Sequence, residues 1–252
     1  MKLIKGDCLL ELKNLPDKSI DFVLCDPPYG TTGCDWDKTL DFRQIWEELK
    51  RVLKPNRVIA LFGSEPFSTY LKASNLDMYK YDWYWIKPKP NGFQNAKNKP
   101  MSAVETISIF SEGSISHKSM SSRRMTYNPV GIYPTGIKKV KEHSHSGKTM
   151  GSKTGGSSRP NQVGREYMSY SGFPSTALYY NQVLKGEHPT QKPVDLLSFL
   201  IETYSDKGEL ILDFTMGVGS TGVAASLCGR DFIGIELDET YFNIANDKLG
   251  LL

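Results

Sequence analysis

The 252-residue sequence predicts an α/β fold built on a doubly wound, mostly parallel sheet. Short apolar runs of strand length alternate with segments of helical spacing. Several strand ends are followed directly by turns rich in Pro or Gly. One long polar stretch with neither periodicity interrupts the alternation, as an insertion would.

Taken in order, Ile20 to Cys25 (IDFVLC) is a continuous apolar run closed by Pro27 and Pro28, the pattern of a buried strand followed by a loop. Phe42, Ile45, Trp46, Leu49, Val52 and Leu53 recur at helical spacing, and Lys54-Pro55-Asn56 stops that helix. Val58 to Phe62 reads as another buried strand, and Tyr81 to Ile86 and Val104 to Phe110 predict two more. Trp83 and Trp85, alternating with Tyr84, are expected in the core. Beyond the interruption, Pro193 to Tyr204 predicts a helix and Glu209 to Asp213 a strand. A helix from Ser220 to Cys228 stopped by Gly229, a strand from Phe232 to Glu236 and a final helix from about Glu239 complete the pattern.

No run of about 18 apolar residues is present, so no transmembrane helix is expected. The start MKLIKGDCLLEL lacks the long apolar stretch of a signal peptide. Cys8, Cys25, Cys34 and Cys228 form no C-x-x-C pair and, with the few histidines, no zinc pattern, so no metal is expected. They read as reduced thiols of a cytoplasmic protein.

The net charge of +3 conceals an asymmetry. Residues 114–185 hold 11 Lys/Arg and two acids, a net +9, while the remainder holds 20 basic and 26 acidic residues, a net −6. A basic segment set into an acidic body suggests a polyanionic partner, and a solvated flexible loop would read the same way.

Near the C-terminus, Gly217-x-Gly219-x-x-Gly222 lies between a predicted strand and a predicted helix. Glycines there let the backbone turn tightly and approach a ligand closely. Glu236, at the end of the next strand, can accept hydrogen bonds from ribose hydroxyls. Asp213, at the strand tip before the turn, suits a ligand carrying positive charge. The layout is that of a nucleoside cofactor, and the absence of G-K-[ST] disfavours ATP.

Asp26-Pro27-Pro28-Tyr29 follows a buried strand directly. The prolines fix φ and remove N–H donors, leaving rigid carbonyl acceptors beside the Asp26 carboxylate and the flat face of Tyr29. Such a turn can take both protons of a planar amine while the ring stacks on its base. An exocyclic amine is a poor nucleophile because its lone pair is conjugated into the ring. Accepting both protons favours a pyramidal nitrogen with the lone pair free for methyl transfer. A Pro-rich turn with a capping Asp is the plainer reading of the four residues taken alone.

In chain order the sequence reads KGDCLLEL, DPPYG, LFGSEPF, WIKPKPNGF, VETISIF, a variable segment, HPTQKP, DFTMGVGSTG and GIELDETY. In this order it resembles the permuted β group of amino-methylating DNA methyltransferases, of the adenine-N6 DPPY type. The resemblance implies a circularly permuted Rossmann-like methyltransferase fold using S-adenosylmethionine. It implies a catalytic domain over residues 1–110 and 188–252, with 111–187 an inserted, partly flexible target-recognition region.

By that resemblance Asp26, Pro27, Pro28 and Tyr29 form the catalytic motif. Asp7 and Cys8 lie along the cofactor adenine, although Asp7 also suits a helix N-cap. Lys192 partners the cofactor carboxylate, and His188 belongs to the same motif or is a surface residue before a proline. Asp213, Thr215, Gly217 and Gly219 form the cofactor turn and Glu236 the ribose acceptor. Many relatives carry Pro-Phe where this chain has Phe214-Thr215, and His-Glu where it has Val104-Glu105, so only Glu105 of that pair carries over.

The expected partner is double-stranded DNA, with the target base flipped from the stack. Arg123, Arg124, Lys138, Lys139, Lys141, Arg159 and Arg165 are expected on DNA, with Asn161 and Gln162 as further base readers. Homodimers are common among relatives, and the resemblance admits one here. Relatives that methylate cytosine N4 tend to carry Ser at the place of Asp26, so Asp favours adenine. Cytosine N4 remains the alternative, and a catalytically silent DNA-binding module the alternative of another class.

Overall fold

The computed structural model describes residues 1–30, 40–115, 122–140, 166–184, 186–187 and 190–250. In chain order the elements are β1 (Lys2–Lys5), α1 (Cys8–Glu11), β2 (Ile20–Cys25), α2 (Phe42–Val52), β3 (Leu53–Gly63), α3 (Phe67–Ala73), β4 (Tyr79–Asn91) and β5 (Ser102–Phe110). There follow β6 (Tyr133–Val140), β7 (Glu166–Ser171), β8 (Ala177–Tyr179), α4 (Val194–Tyr204), β9 (Leu210–Asp213), α5 (Ser220–Leu227), β10 (Asp231–Glu236) and α6 (Glu239–Gly250). Among the described residues no helix is long and apolar enough to cross a membrane.

Eight strands form one sheet in the order β1-β10-β9-β2-β3-β5-β4-β8. Only β5 runs against the others, antiparallel to both β3 and β4. The doubly wound, mostly parallel α/β fold is therefore present. All six residues of β2 are buried, as a strand covered on both faces requires. Its side chains alternate between two layers. Phe22 and Leu24 pack with Leu200, Ile201 and Ala224 of α4 and α5. Val23 and Cys25 face Ile45, Leu49 and Val52 of α2.

The carboxyl ends of β1, β10, β9 and β2 lie side by side. Lys5 is level with Glu236, Gly234 with Asp213, and Val23 with Leu212. Crevices at such strand ends are where open α/β sheets bind ligands. A concavity lined by Gly208, Gly229 and Arg230 lies at the opposite strand ends and holds none of the candidate residues.

Several boundaries differ from the sequence reading. β3 starts at Leu53 rather than Val58, because Leu53 pairs with Ile20 before the register shifts to Phe22 with Val58. The elements β1, α1, α3 and β8 are too short to show a periodicity. β8 falls within 111–187 yet extends the main sheet, pairing Tyr84 with Ala177.

The chain forms two compact units, one of Met1–Asn128 with Ser175–Leu252, the other of Pro129–Pro174. The second is narrower than the expected insertion. Residues 111–128 join the first unit through Ser111 Oγ donating to the Arg57 carbonyl (2.8 Å), and through N–H donation from Thr126 to Asn56 and from Asn128 to Thr203 (3.3 and 2.7 Å). Among the second unit's described residues, β6 and β7 pair as an antiparallel ribbon in which Lys138 lies opposite Met168 and Tyr133 opposite Ser171.

Trp83 and Trp85 are core residues, as expected. Trp83 donates its indole N–H to the fully buried Tyr204 hydroxyl (2.6 Å), which also lies 2.9 Å from the Tyr81 hydroxyl. Tyr204→Phe strips the buried indole of its acceptor. The expected cost is about 1–3 kcal/mol, read as a lower urea midpoint with unchanged far-ultraviolet circular dichroism. A wild-type midpoint would show that this contact contributes nothing.

Candidate active site

β2 delivers Asp26 to the carboxyl edge of the sheet, where Pro27 and Pro28 hold the turn. The Asp26 carboxylate is surrounded by named partners. Lys192 Nζ donates to Oδ2, and the Tyr29 hydroxyl lies 2.5 Å from Oδ1. The same two donors reach Glu105 Oε1, Lys192 at 3.0 Å and Tyr29 at 3.1 Å. Lys87 Nζ sits 2.5 Å from the other oxygen of Glu105. Two carboxylates and two ammonium groups thus form one chain of contacts whose charges balance.

Lys192 and Glu105 are each 7% exposed, whereas 24% of the Asp26 side chain remains open. The cluster therefore meets solvent, or a substrate, through Asp26. Aromatic rings support it: Phe62 lies 5.1 Å from Lys192 Nζ and Trp85 4.9 Å from Lys87 Nζ. One face of Tyr29 is covered by Phe67, with ring centroids 4.9 Å apart and planes 24° from parallel.

The electrostatics follow from burial and neighbours. Burial raises the pKa of Asp26, and the Glu105 charge adds to this while Lys192 opposes it. Burial works the same way on Glu105, but Lys192 and Lys87 outweigh it and hold that carboxyl below its ordinary value. Burial opposes the charge on Lys192, yet Asp26 and Glu105 keep it an ammonium. The Tyr29 phenol is pushed well above its ordinary value by burial and then by both carboxylates, so it remains a donor. Burial, with Asp213 nearby, likewise raises the Cys25 thiol, which is no ready nucleophile.

Beside this cluster lies the glycine turn between β9 and α5. Gly217 and Gly219 adopt left-handed backbone (φ +52° and +79°), and a Cβ on Gly217 would meet nothing within 4 Å. A Cβ on Gly222 would come within 2.6 Å of Leu249 and 2.9 Å of Phe232, so this third glycine serves helix packing. Glu236 accepts from the N–H groups of Gly217 and Asp238 (both 2.8 Å). Asp213 accepts from Thr221 Oγ1 (2.6 Å) and the Thr215 N–H (3.2 Å) and enters no ion pair among the described residues. Burial without a counter-charge pushes its pKa up to about 7, against the hydrogen bonds from Thr221, Thr215 and Cys25 that lower it. Thr215 Oγ1 donates to the Asp26 carbonyl (3.2 Å) and lies 3.0 Å from Cys25 Sγ, tying this turn to the Pro-Pro turn.

The structure brings Asp26, Tyr29, Lys192, Thr215, Asp213, Gly217 and Glu236 to one edge of the sheet. Asp7 caps α1 by accepting from the Leu9 N–H (2.7 Å), and the Gly6 N–H donates to the Glu236 carbonyl (2.9 Å), so this segment runs beside β10. Cys8 is buried, its thiol pushed to about 12 chiefly by that burial.

Lys192, expected to partner the cofactor carboxylate, places its ammonium on Asp26 and Glu105. Lys87 and Phe67 were missed, although Trp83, Trp85 and Lys87 share one strand face by their period of two. Arg123 and Arg124 lie in the first unit. Lys138 is exposed on β6, 3.6 Å from Glu166, and Lys139 follows it on that strand. Lys141, Arg159, Asn161, Gln162, Arg165 and His188 fall outside the described residues.

Because folding raises the Asp213 pKa, its stabilising contribution is complete below its unfolded value and is lost as the pH climbs through about 7. Without cofactor, the stability of wild type relative to Asp213→Asn should therefore fall between pH 4 and pH 7.5. Urea unfolding of both proteins across that window checks this. A constant difference would mean that Asp213 is ionised throughout.

The sequence pattern of a DNA methylase family, the N6/N4 methyltransferases, matches residues 20–247. The type II methyltransferase M1.MboII of Moraxella bovis is 28% identical, covering all of this chain and 97% of its own length. M.HinfI of Haemophilus influenzae is 27% identical over 98% of this chain and 67% of its own length. In fold, the chain is similar to M1.HpyAVI, solved as a complex with SAM (TM-score 0.61, 21% identity, 98% and 99% of the two chains). It is also similar to the cytosine-N4-specific PvuII DNA methyltransferase (TM-score 0.65, 16% identity, 96% and 84%). With the family pattern spanning β2 to α6 and the Pro-Pro and glycine turns inside that span, the chain belongs to the N6/N4 DNA methylase family.

Proposed function

We propose that the chain methylates adenine N6 in double-stranded DNA at a specific sequence. The observation that carries this reading is the Asp26 carboxylate, held by Lys192 and Tyr29 at the mouth of an otherwise buried cluster. A carboxylate at this place, instead of a hydroxyl, favours adenine over cytosine.

The methyl donor is S-adenosylmethionine, which supplies an electrophilic methyl group and departs as a neutral thioether. The residues present fit it. Asp213 is a buried acid with no cation of its own among the described residues, and Glu236 retains acceptor sites beyond the two N–H groups it holds. Gly217 leaves open space, and the buried Ser220 hydroxyl has no partner among the described residues.

At the other side of the site, the adenine amine gives its two protons to the Asp26 carboxylate and the Pro27 carbonyl. Each Asp26 oxygen keeps an acceptor site beside the donor it already has. The nitrogen sheds one proton on methylation. Asp26 is its nearest acceptor in this arrangement, and the raised pKa of that carboxyl suits the task. Glu105, held ionised by Lys87 and Lys192, keeps the charge of the cluster fixed meanwhile. The base stacks on the face of Tyr29 away from Phe67. Arg123, Arg124, Lys138, Lys139, Lys141, Arg159 and Arg165 bind phosphates or base edges, and residues 111–187 select the sequence.

Labelled methyl incorporation, followed by single-molecule sequencing of DNA from cells expressing the protein, tests this reading. N6-methyladenine at one sequence is expected. N4-methylcytosine instead would overturn the base assignment, and no DNA methylation would overturn the activity. Asp26→Ala should lower transfer by at least about 100-fold with cofactor affinity within a few fold. The ionised carboxylate is the working form, so kcat should fall on acidification through a pKa above the ordinary aspartate value. A flat profile down to pH 4 would contradict an accepting Asp26.

A further inference from the structure

The end of β4 with its connection to β5, residues 88–101, lies outside every segment assigned to DNA above. We infer that it is a second DNA-contacting arm, with Lys89, Lys97 and Lys99 on phosphates and Phe93 stacking on a base. The inference rests on DNA being the substrate.

Charge comes first. From Lys87 to Val104 the sequence holds Lys87, Lys89, Lys97 and Lys99 and no acid. Lys87 is engaged by Glu105, but Lys89, Lys97 and Lys99 enter no ion pair among the described residues. Three unneutralised ammonium groups on one short segment complement a polyanion.

The arm is also built. Asn91 pairs with Ser102 at its base. Gly92 turns the chain at φ +94°, and successive turns follow: Asn95 N–H to the Gly92 carbonyl (3.0 Å), Ala96 to Phe93 (3.0 Å), and Asn98 and Lys99 to Asn95 (2.9 and 3.0 Å). These bonds hold a helical turn in which residues 91–100 are all exposed. Phe93, at its start, is 80% exposed. A large ring held outward among lysines and amides is the composition of a single-base stacking platform. Gln94, Asn95 and Asn98 beside it carry the amides that read base edges.

Its root places it. Lys87 touches Glu105, which also takes the Tyr29 hydroxyl, so the arm grows from the catalytic cluster itself. Four residues of strand from Lys87 to Asn91 span about 13 Å. That is close to the width of the DNA major groove, about 12 Å. A duplex presenting a base to Asp26 therefore lies within reach of the arm.

Equilibrium binding of a fluorescent DNA duplex carrying the methylated sequence, titrated with salt, tests this. The variants are Phe93→Ala, Phe93→Trp and the triple change Lys89→Gln, Lys97→Gln, Lys99→Gln. All four residues are substantially exposed, so the fold should persist. The triple variant should lower the slope of log affinity against log salt by roughly 2–3. Phe93→Ala should weaken binding roughly 10-fold, with Phe93→Trp restoring it and cofactor affinity unchanged throughout. Wild-type slope and affinity in all variants would overturn the inference. So would a Phe93→Ala effect confined to sedimentation, which would make the arm a contact between copies of the chain. Wild-type protein that binds the duplex but transfers no methyl to any DNA would defeat the proposed activity and leave the arm standing.

Discussion

The ammonium of Lys192 lies buried between the carboxylates of Asp26 and Glu105, residues far apart in sequence and drawn to one edge of the sheet. Two acids this close repel each other, and burial disfavours both of their charges. Lys192 meets one oxygen of each, and Lys87 closes the far side of Glu105. Removing one partner from such a buried set costs about 3–5 kcal/mol, because the charge left behind has neither water nor counter-ion. The arrangement therefore holds together as a whole. Its purpose shows in its asymmetry: only Asp26 keeps a substantial part of its side chain open.

The sheet makes this meeting possible. β2, β9, β10 and β1 place Asp26, Asp213, Glu236 and the Gly6-Asp7 segment in adjacent strand ends. The reversed β5 brings Glu105 to the same edge from the opposite chain direction, and β4 beside it brings Lys87. Thr215 then links the two turns by donating to the Asp26 carbonyl. The acid that would receive a cationic cofactor and the acid that would receive the amine are consequently held by one connected set of bonds.

What could be read from the sequence was local. The strand IDFVLC, the Pro-Pro turn after it and the glycine turn each declare themselves within a dozen residues, since periodicity and φ restrictions are short-range. Lys192 could not be read that way, for its partners are 166 residues away at Asp26 and in a different strand at Glu105. The HPTQKP motif marked Lys192 as a site residue but not its contacts with Asp26 and Glu105. Lys87 was within reach, because Trp83 and Trp85 mark the buried face of β4 that it continues. Phe67 was not, since its stacking on Tyr29 depends on where α3 lands. β8 has three residues and no pattern to detect, and only its pairing with β4 defines it.

The most direct test of the account is Lys192→Gln, comparing cofactor affinity with single-turnover methyl transfer at saturating cofactor. If Lys192 organises the carboxylates, transfer falls by about 100-fold or more while cofactor affinity stays within a few fold. A collapse of cofactor affinity with transfer preserved at saturation would contradict it, and would return Lys192 to the cofactor.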